Sequence, residues 1–188
     1  MAEADAADVD AAVRSAREAF EGPWRRMRAA ERGRLLLKLA DPIQRDQDEL
    51  VELESLDAGK PISAIRRQDL PAVLDTLIYY AGLAGKINGQ VIPARTDALT
   101  YTVREPLGVV AAIVPWNFPL MIGMWKIAPA LACGCTVVLK PAELTPLTAL
   151  RIGELALEAG FPAGVLNASP GLAGSPARRW WTIPTSTR

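Results

Sequence analysis

Two short stretches hold the residues whose types could do chemistry. Val110-Ala-Ala-Ile-Val-Pro-Trp-Asn-Phe-Pro119 runs from an apolar segment into two prolines that bracket Trp116, Asn117 and Phe118. Thr136-Val-Val-Leu-Lys-Pro-Ala-Glu143 runs from a second apolar segment into Lys140 and Glu143. Proline fixes its backbone and has no N–H, so the first loop cannot cradle a pyrophosphate through successive amides. No G-x-G-x-x-G follows Val114 either. The rigidity can instead serve Asn117, because a preorganised side-chain amide is an effective donor to a developing oxyanion. The local alternative is that Asn117 caps the helix that follows. An acidic residue after the second strand of a dinucleotide fold hydrogen-bonds the adenosine ribose. Glu143 fits that place, with Lys140 beside it as a donor, and its carboxylate should repel a 2′-phosphate. The alternative there is a surface ion pair between Lys140 and Glu143, worth ~0–1 kcal/mol.

The elements that must position these loops are legible from hydrophobic period. Val109 to Val114 is wholly apolar and β-branched, as expected of a central parallel strand buried on both faces. Met121 to Leu131 reads as a helix, Thr136 to Lys140 as a second buried strand, and Gly164 to Ala168 as a third. Between the last two lies a helix with Ala149, Ile152, Ala156 and Ala159 on one face, opened by Thr145 as cap with Pro146 after it and stopped by Gly160. The order β-α-β-α-β implies a parallel sheet with right-handed crossovers, the first half of a doubly wound α/β fold. Ligands of such sheets sit beyond the carboxyl ends of the strands.

Upstream, the spacing predicts four packing helices. The first runs from Asp8, its N-cap, to Phe20 and is ended by Gly22-Pro23. The second covers Ala29 to Leu39 and is interrupted or restarted at Pro42. The third covers Asp46 to Leu56 and is closed by Gly59-Lys60-Pro61. The fourth covers Asp69 to Ile87, with Leu74, Leu77, Ile78 and Ala81 on its apolar face. Ala98 to Glu105 alternates and is rich in β-formers, so it reads as a strand with one wet face.

Composition bounds the function. The chain of 188 residues is half apolar, with 21 Lys+Arg against 21 Asp+Glu, so no charge excess points to nucleic acid or a membrane surface. It has no histidine, which excludes Ser-His-Asp and Cys-His catalysis within it and every histidine-ligated metal site. Cys133 and Cys135 form no disulfide framework, and a C-x-C pair without a third ligand is poor metal evidence. They read as small buried hydrophobes. The start, MAEADAADVDAA, lacks signal-peptide order, and no apolar run reaches the ~18 residues of a membrane span. A cytoplasmic, reduced protein is expected.

Residues 105–171, with AVRSAREAFEGPWRRM, ERGRLLLKLAD and LDAGKPI upstream, resemble the first part of the NAD(P)-dependent aldehyde dehydrogenase superfamily. PWNFP followed by LKPAELTP is the specific part of the match. The resemblance implies an α/β fold of N-terminal helices plus the first half of a Rossmann-like sheet. Residues 1–97 would be the helical part of the cofactor domain, 98–107 a strand of the bridging hairpin that builds oligomers, and 108–171 the NAD-binding half-domain. It also implies roles. Asn117 matches the oxyanion-hole asparagine. Ile113, Val114, Pro115 and Trp116 match residues lining the cofactor pocket, and Lys140, Ala142 and Glu143 match the adenosine-ribose contact. In that family a cysteine thiolate attacks an aldehyde, hydride passes to NAD(P)+, and a glutamate-activated water releases the acid. The implied cofactor is NAD, with NADP as the alternative. The implied partners are a small-molecule aldehyde and either a second copy or a full-length homologue.

After Gly171 the resemblance stops. LAGSPARRWWTIPTSTR has no acidic residue and no apolar period. Slipped by one nucleotide, WWTIPTSTR becomes LVDHPDVDK for ordinary codon choices, a string of the kind the family carries there. The expectation is a truncated or frameshifted gene product in which 172–188 is an aberrant tail. It would lack the nucleophile and base segments, be inactive alone and be marginally stable. A nucleotide-binding or homologue-docking fragment without catalysis is the alternative function, and a ligand-free scaffold a third.

Overall fold

The computed structural model describes residues 4–171; the expected tail at 172–188 lies outside the described residues. A three-stranded parallel sheet organises the chain. Strands β3 (Val109–Ile113), β4 (Thr136–Lys140) and β5 (Leu166–Ala168) lie in that order. Helices α6 (Pro119–Ala132) and α7 (Leu147–Glu158) make the crossovers. The α/β class and the parallel half-sheet match the expectation.

Burial within the sheet follows neighbours, not composition. Every residue of β4, which pairs on both sides, is buried, whereas in β3 only Ala112 is, and Ala111 and Ile113 are exposed. The expectation that 109–114 is buried on both faces is therefore corrected: β3 borders the described sheet. Strand alternation then divides the core. Val137 and Leu139 face the large core built on α2 (Ala29–Arg45), α5 (Leu70–Leu83), α6 and α7, while Val138 faces α1 (Ala6–Ala19) through Val9 and Ala16. The Thr136 hydroxyl donates to Ala16 O at 3.0 Å and fastens α1 to that face.

The helical half departs from expectation mainly at its boundaries. Asp5, not Asp8, is the N-cap of α1; its carboxylate accepts the Ala7 and Asp8 N–H groups, and Asp8 returns the bond to the Asp5 N–H. Gly22-Pro23 does break the first helix as expected: Gly22 leaves the helical region (φ −94°, ψ −118°), and the chain kinks there within the segment Phe20–Trp24. Helix α2 (Ala29–Arg45) continues through Pro42, because Leu39, Pro42 and Ile43 are all buried and their packing outweighs one lost backbone bond. Gly33 lets α2 approach α5 closely: a Cβ there would lie 2.7 Å from Ala81 O.

Helix α3 (Gln47–Ala58) ends at Gly59, whose φ of 67° is left-handed. A single turn, α4 (Ile62–Ala64), and a π turn, Ile65–Asp69, lead into α5 (Leu70–Leu83), followed by a 3-10 turn, Ala84–Lys86. The fourth helical path thus begins earlier than expected. On α5 Leu77 is buried but Ile78 is 54% exposed, so the predicted stripe is one residue too wide. The expected strand 98–105 shrinks to β2 (Thr100–Tyr101), paired antiparallel with β1 (Val91–Ile92). Leu99, Tyr101 and Val103 are exposed, so the alternation there does not mark a buried face. No helix among the described residues is long and apolar enough to cross a membrane.

Candidate functional site

The two chemistry-bearing loops meet at one edge of the sheet. Ile113 is paired with Lys140, and the Val114 N–H donates to Lys140 O at 3.1 Å, one step beyond the ladder. The chain then leaves the sheet at Pro115, where proline offers no further donor. On the other side of β4 the Ser169 N–H donates to Leu139 O at 2.9 Å, so the end of β5 reaches the same edge. Asn117 and Glu143 therefore follow the carboxyl ends of adjacent parallel strands.

Val114 is buried, Ile113 is half exposed, and Pro115, Trp116 and Asn117 are exposed. The Asn117 side chain makes no hydrogen bond among the described residues and does not cap the helix. Phe118 holds the cap position of α6 without a side-chain bond, and the Leu120 N–H donates to Glu54 Oε1 at 3.2 Å. The capping alternative is thereby set aside, and the amide remains exposed at the rim.

At the neighbouring tip the Lys140–Glu143 pair does form, with Nζ 2.7 Å from Oε1. It is not a surface pair: Lys140 is buried, and its ammonium also donates to Pro141 O at 3.0 Å. Ala142 is half-buried and Glu143 exposed. Two further hydroxyls, Thr145 Oγ1 and Ser169 Oγ, are buried at this edge and have no partner among the described residues. Thr145 does not cap α7 as expected. The Leu147 N–H donates to Asp57 Oδ2 at 2.7 Å instead, and Pro146 holds the cap position.

The residues that sequence reasoning missed stand behind the loops. Glu54 is fully buried; its Oε1 accepts from Leu120 and its Oε2 accepts the Thr148 hydroxyl at 2.8 Å. Burial pushes its carboxyl above the ordinary range, against the pull of those two hydrogen bonds. Burial raises Asp57 as well, opposed by the Leu147 bond. Lys60 pairs with buried Asp69 at 2.5 Å, and its Nζ lies 3.8 Å from the centroid of the Phe118 ring. One signal was available: Glu54 shares a helical stripe with buried Leu50 and Val51, where an acid is rare unless it has partners.

Cys135 is buried as expected, but Cys133 is exposed, which corrects the reading of both as buried hydrophobes. Cys133 closes α6 and Cys135 precedes β4, so both lie at the amino edge of the sheet, opposite Asn117. Burial raises the Cys133 thiol further, and the Cys135 sulfur adds to it.

Comparison with known proteins agrees with this fold. The model of the aldehyde dehydrogenase family matches residues 1–177. Human retinal dehydrogenase 2 is 57% identical over 171 residues, 90% of this chain and 33% of that protein. The NAD+ complex structure of an aldehyde dehydrogenase from Bacillus cereus superposes with a TM-score of 0.91 at 51% identity, covering 94% of this chain and 36% of that one. PnpE from Pseudomonas sp. WBC-3, in complex with nicotinamide adenine dinucleotide, gives 0.91 at 53% identity over 95% and 36%. The chain spans about a third of the length of the relatives it matches.

Proposed function

The chain belongs to the aldehyde dehydrogenase family, and on that premise we propose that its strand tips form the adenosine-binding side of an NAD site together with the oxyanion donor of aldehyde oxidation. The observation that carries this reading is the placement of Asn117 and Glu143 after paired strand ends, on loops closed by Pro115 and Pro141. The residues suit the group. Glu143 offers a carboxylate acceptor to a ribose hydroxyl, Lys140 holds that carboxylate in place, and Ala142 leaves room beside it. Ile113, Val114, Pro115 and Trp116 supply an apolar wall, of which Trp116 is 60% exposed. The Thr145 and Ser169 hydroxyls, without partners among the described residues, add polar capacity at the same edge. NADP is the alternative cofactor, disfavoured by the charge on Glu143.

A nicotinamide cofactor held at these strand tips would supply the hydride acceptor. What this chain contributes is the Asn117 amide, whose N–H would donate to the aldehyde oxygen as it gains charge when a thiolate adds to the carbonyl carbon, the addition that precedes loss of the hydride. Neither cysteine stands on that side of the sheet, so the chain by itself turns over no aldehyde; the whole reaction, aldehyde to carboxylic acid, belongs to a protein that also supplies a thiolate there. The compartment proposed is the cytoplasm. The edge of β3 that is unpaired among the described residues and the exposed β1–β2 hairpin favour association with a second copy or a full-length homologue.

Titration of the purified chain with NADH, read by the fluorescence of Trp116 against a Trp116→Phe control, tests the binding half. Saturable quenching is expected, weakened roughly tenfold in Glu143→Gln by loss of a charged hydrogen bond. No saturation, or equal affinity in Glu143→Gln, overturns the assignment. Steady aldehyde turnover by the chain alone overturns the statement about its cysteines.

A further inference from the structure

The loop that carries Asn117 is held from behind by charges that neither β3 nor α6 supplies. On its amino side the loop is fixed by the Val114 bond to Lys140 O and by Pro115. On its carboxyl side two contacts hold it. The Lys60 ammonium sits 3.8 Å from the centroid of the Phe118 ring, and Phe118 is the residue next to Asn117. Glu54 accepts the Leu120 N–H, three residues past Asn117.

Each holder is itself held. Asp69, buried, pairs with Lys60 at 2.5 Å, which keeps the ammonium against the ring in a site with little water. The Lys60 backbone is set by the left-handed turn at Gly59 and by the Ser55 hydroxyl, which donates to Lys60 O at 2.8 Å. Glu54 is tied on its other oxygen to Thr148 at the start of α7, so the same carboxylate also fixes the helix that follows the Glu143 loop. An apolar side chain here would leave the Asp69 carboxylate buried without a partner, so the lysine neutralises Asp69 and at the same time lies against the face of the Phe118 ring.

We propose that Lys60, held by Asp69, and Glu54 are positioning residues for the Asn117 amide, fixing the carboxyl side of its loop so that the amide is preorganised. This rests on the reading of Asn117 as an oxyanion donor, but it concerns order and not turnover. The loop holds its geometry because Phe118 is pinned by a cation and Leu120 by a carboxylate, and neither pin touches substrate.

The chain has three asparagines, Asn88, Asn117 and Asn167, so asparagine-selective 15N labelling gives three backbone signals, with that of Asn117 identified by its loss in Asn117→Asp. The order parameter of Asn117 is expected near the rigid value of about 0.85. In Lys60→Gln it should fall below about 0.6, with Asn167 unchanged, and in Lys60→Arg it should recover. Phe118→Leu removes the ring while leaving the Lys60–Asp69 pair, and it should loosen Asn117 in the same way; it decides the matter if Lys60→Gln does not fold. Ile152→Val, a core change on α7, serves as a stability control. An unchanged order parameter in Lys60→Gln or Phe118→Leu, or an equal loss in Ile152→Val, overturns the proposal. Failure of NADH binding with an ordered loop counts against the functional reading alone.

Discussion

Helix α3 presents acids to its surroundings at both ends, and the two ends work differently. At the amino end Asp46 meets Arg45 and Arg151, Glu49 meets Arg151, and Asp48 meets Arg66, with most of these side chains well exposed. Arg45 also reaches Glu158, and Arg151 also reaches Glu154, so these two arginines each have several partners. At the carboxyl end Glu54 and Asp57 have no arginine. They accept from the Leu120 and Leu147 N–H groups and the Thr148 hydroxyl, so they satisfy the first turns of α6 and α7 from outside. The amino end joins α3 to its neighbours redundantly. The carboxyl end fixes where two helices begin, and those beginnings carry the Asn117 and Glu143 loops.

The comparison breaks most readily at Glu54. Glu54→Ala leaves a buried N–H and a buried hydroxyl without acceptors and should cost about 2–4 kcal/mol in urea unfolding. Glu54→Gln keeps one acceptor and the side-chain shape and should cost much less. If the alanine variant loses no more than an exposed variant such as Asp48→Ala, the carboxyl end holds nothing that the amino end does not. Asp57→Ala removes one cap from α7 and should cost about 1 kcal/mol, with Asp57→Asn retaining most of the stability.

Legibility in the sequence follows the same division. The strand-helix-strand unit at 109–140 was readable because β-branched runs, a proline-bracketed loop and helical period all point to one structure. Exposure of β3 was not, because an apolar strand reads alike at the centre or the border of a sheet. The cap of α7 was misplaced on Thr145 because local rules look for a cap within a few residues, and Asp57 lies ninety positions away. Lys60 and Asp69 were invisible for a related reason: their pairing and the Phe118 contact cross between elements. The candidate residues Asn117, Lys140 and Glu143 could be named early because loop chemistry is written in the loop itself.

The two ends should also separate by pH, with opposite signs. Arg45 holds the Asp46 and Glu158 carboxyls below the ordinary range, chiefly by direct hydrogen bonds. A depressed folded value gives stability that is present above the unfolded value of about 4 and is lost as pH falls through the lower folded value. Burial raises Glu54 and Asp57. A raised carboxyl burdens the fold while it is ionised, and the burden lifts as pH falls from neutral through the raised value toward 4. Urea midpoints measured from pH 7 to pH 3 should therefore hold level or rise before they fall. Glu54→Gln should remove the early rise, and Asp46→Asn should soften the later fall. A monotonic fall from pH 7 in the wild type, unchanged in Glu54→Gln, contradicts the assignment of burial as the dominant influence on Glu54.

Salt gives the smallest and most selective contrast. At 0.5 M salt the screening length shrinks to a few ångströms, so pairs exposed to solvent weaken while bonds shielded from it do not. Arg151→Met should lower the melting temperature slightly at low salt and not at all at 0.5 M, because Asp46 keeps Arg45 as a partner when Arg151 is gone. Glu54→Gln should shift it by nearly the same amount at both salt concentrations, since its hydrogen-bond partners are a buried amide and a buried hydroxyl and its charged neighbours Lys60 and Asp69 are themselves shielded from solvent. Equal salt dependence of the two variants would mean that water reaches Glu54, and a carboxylate reached by water holds neither loop in one geometry.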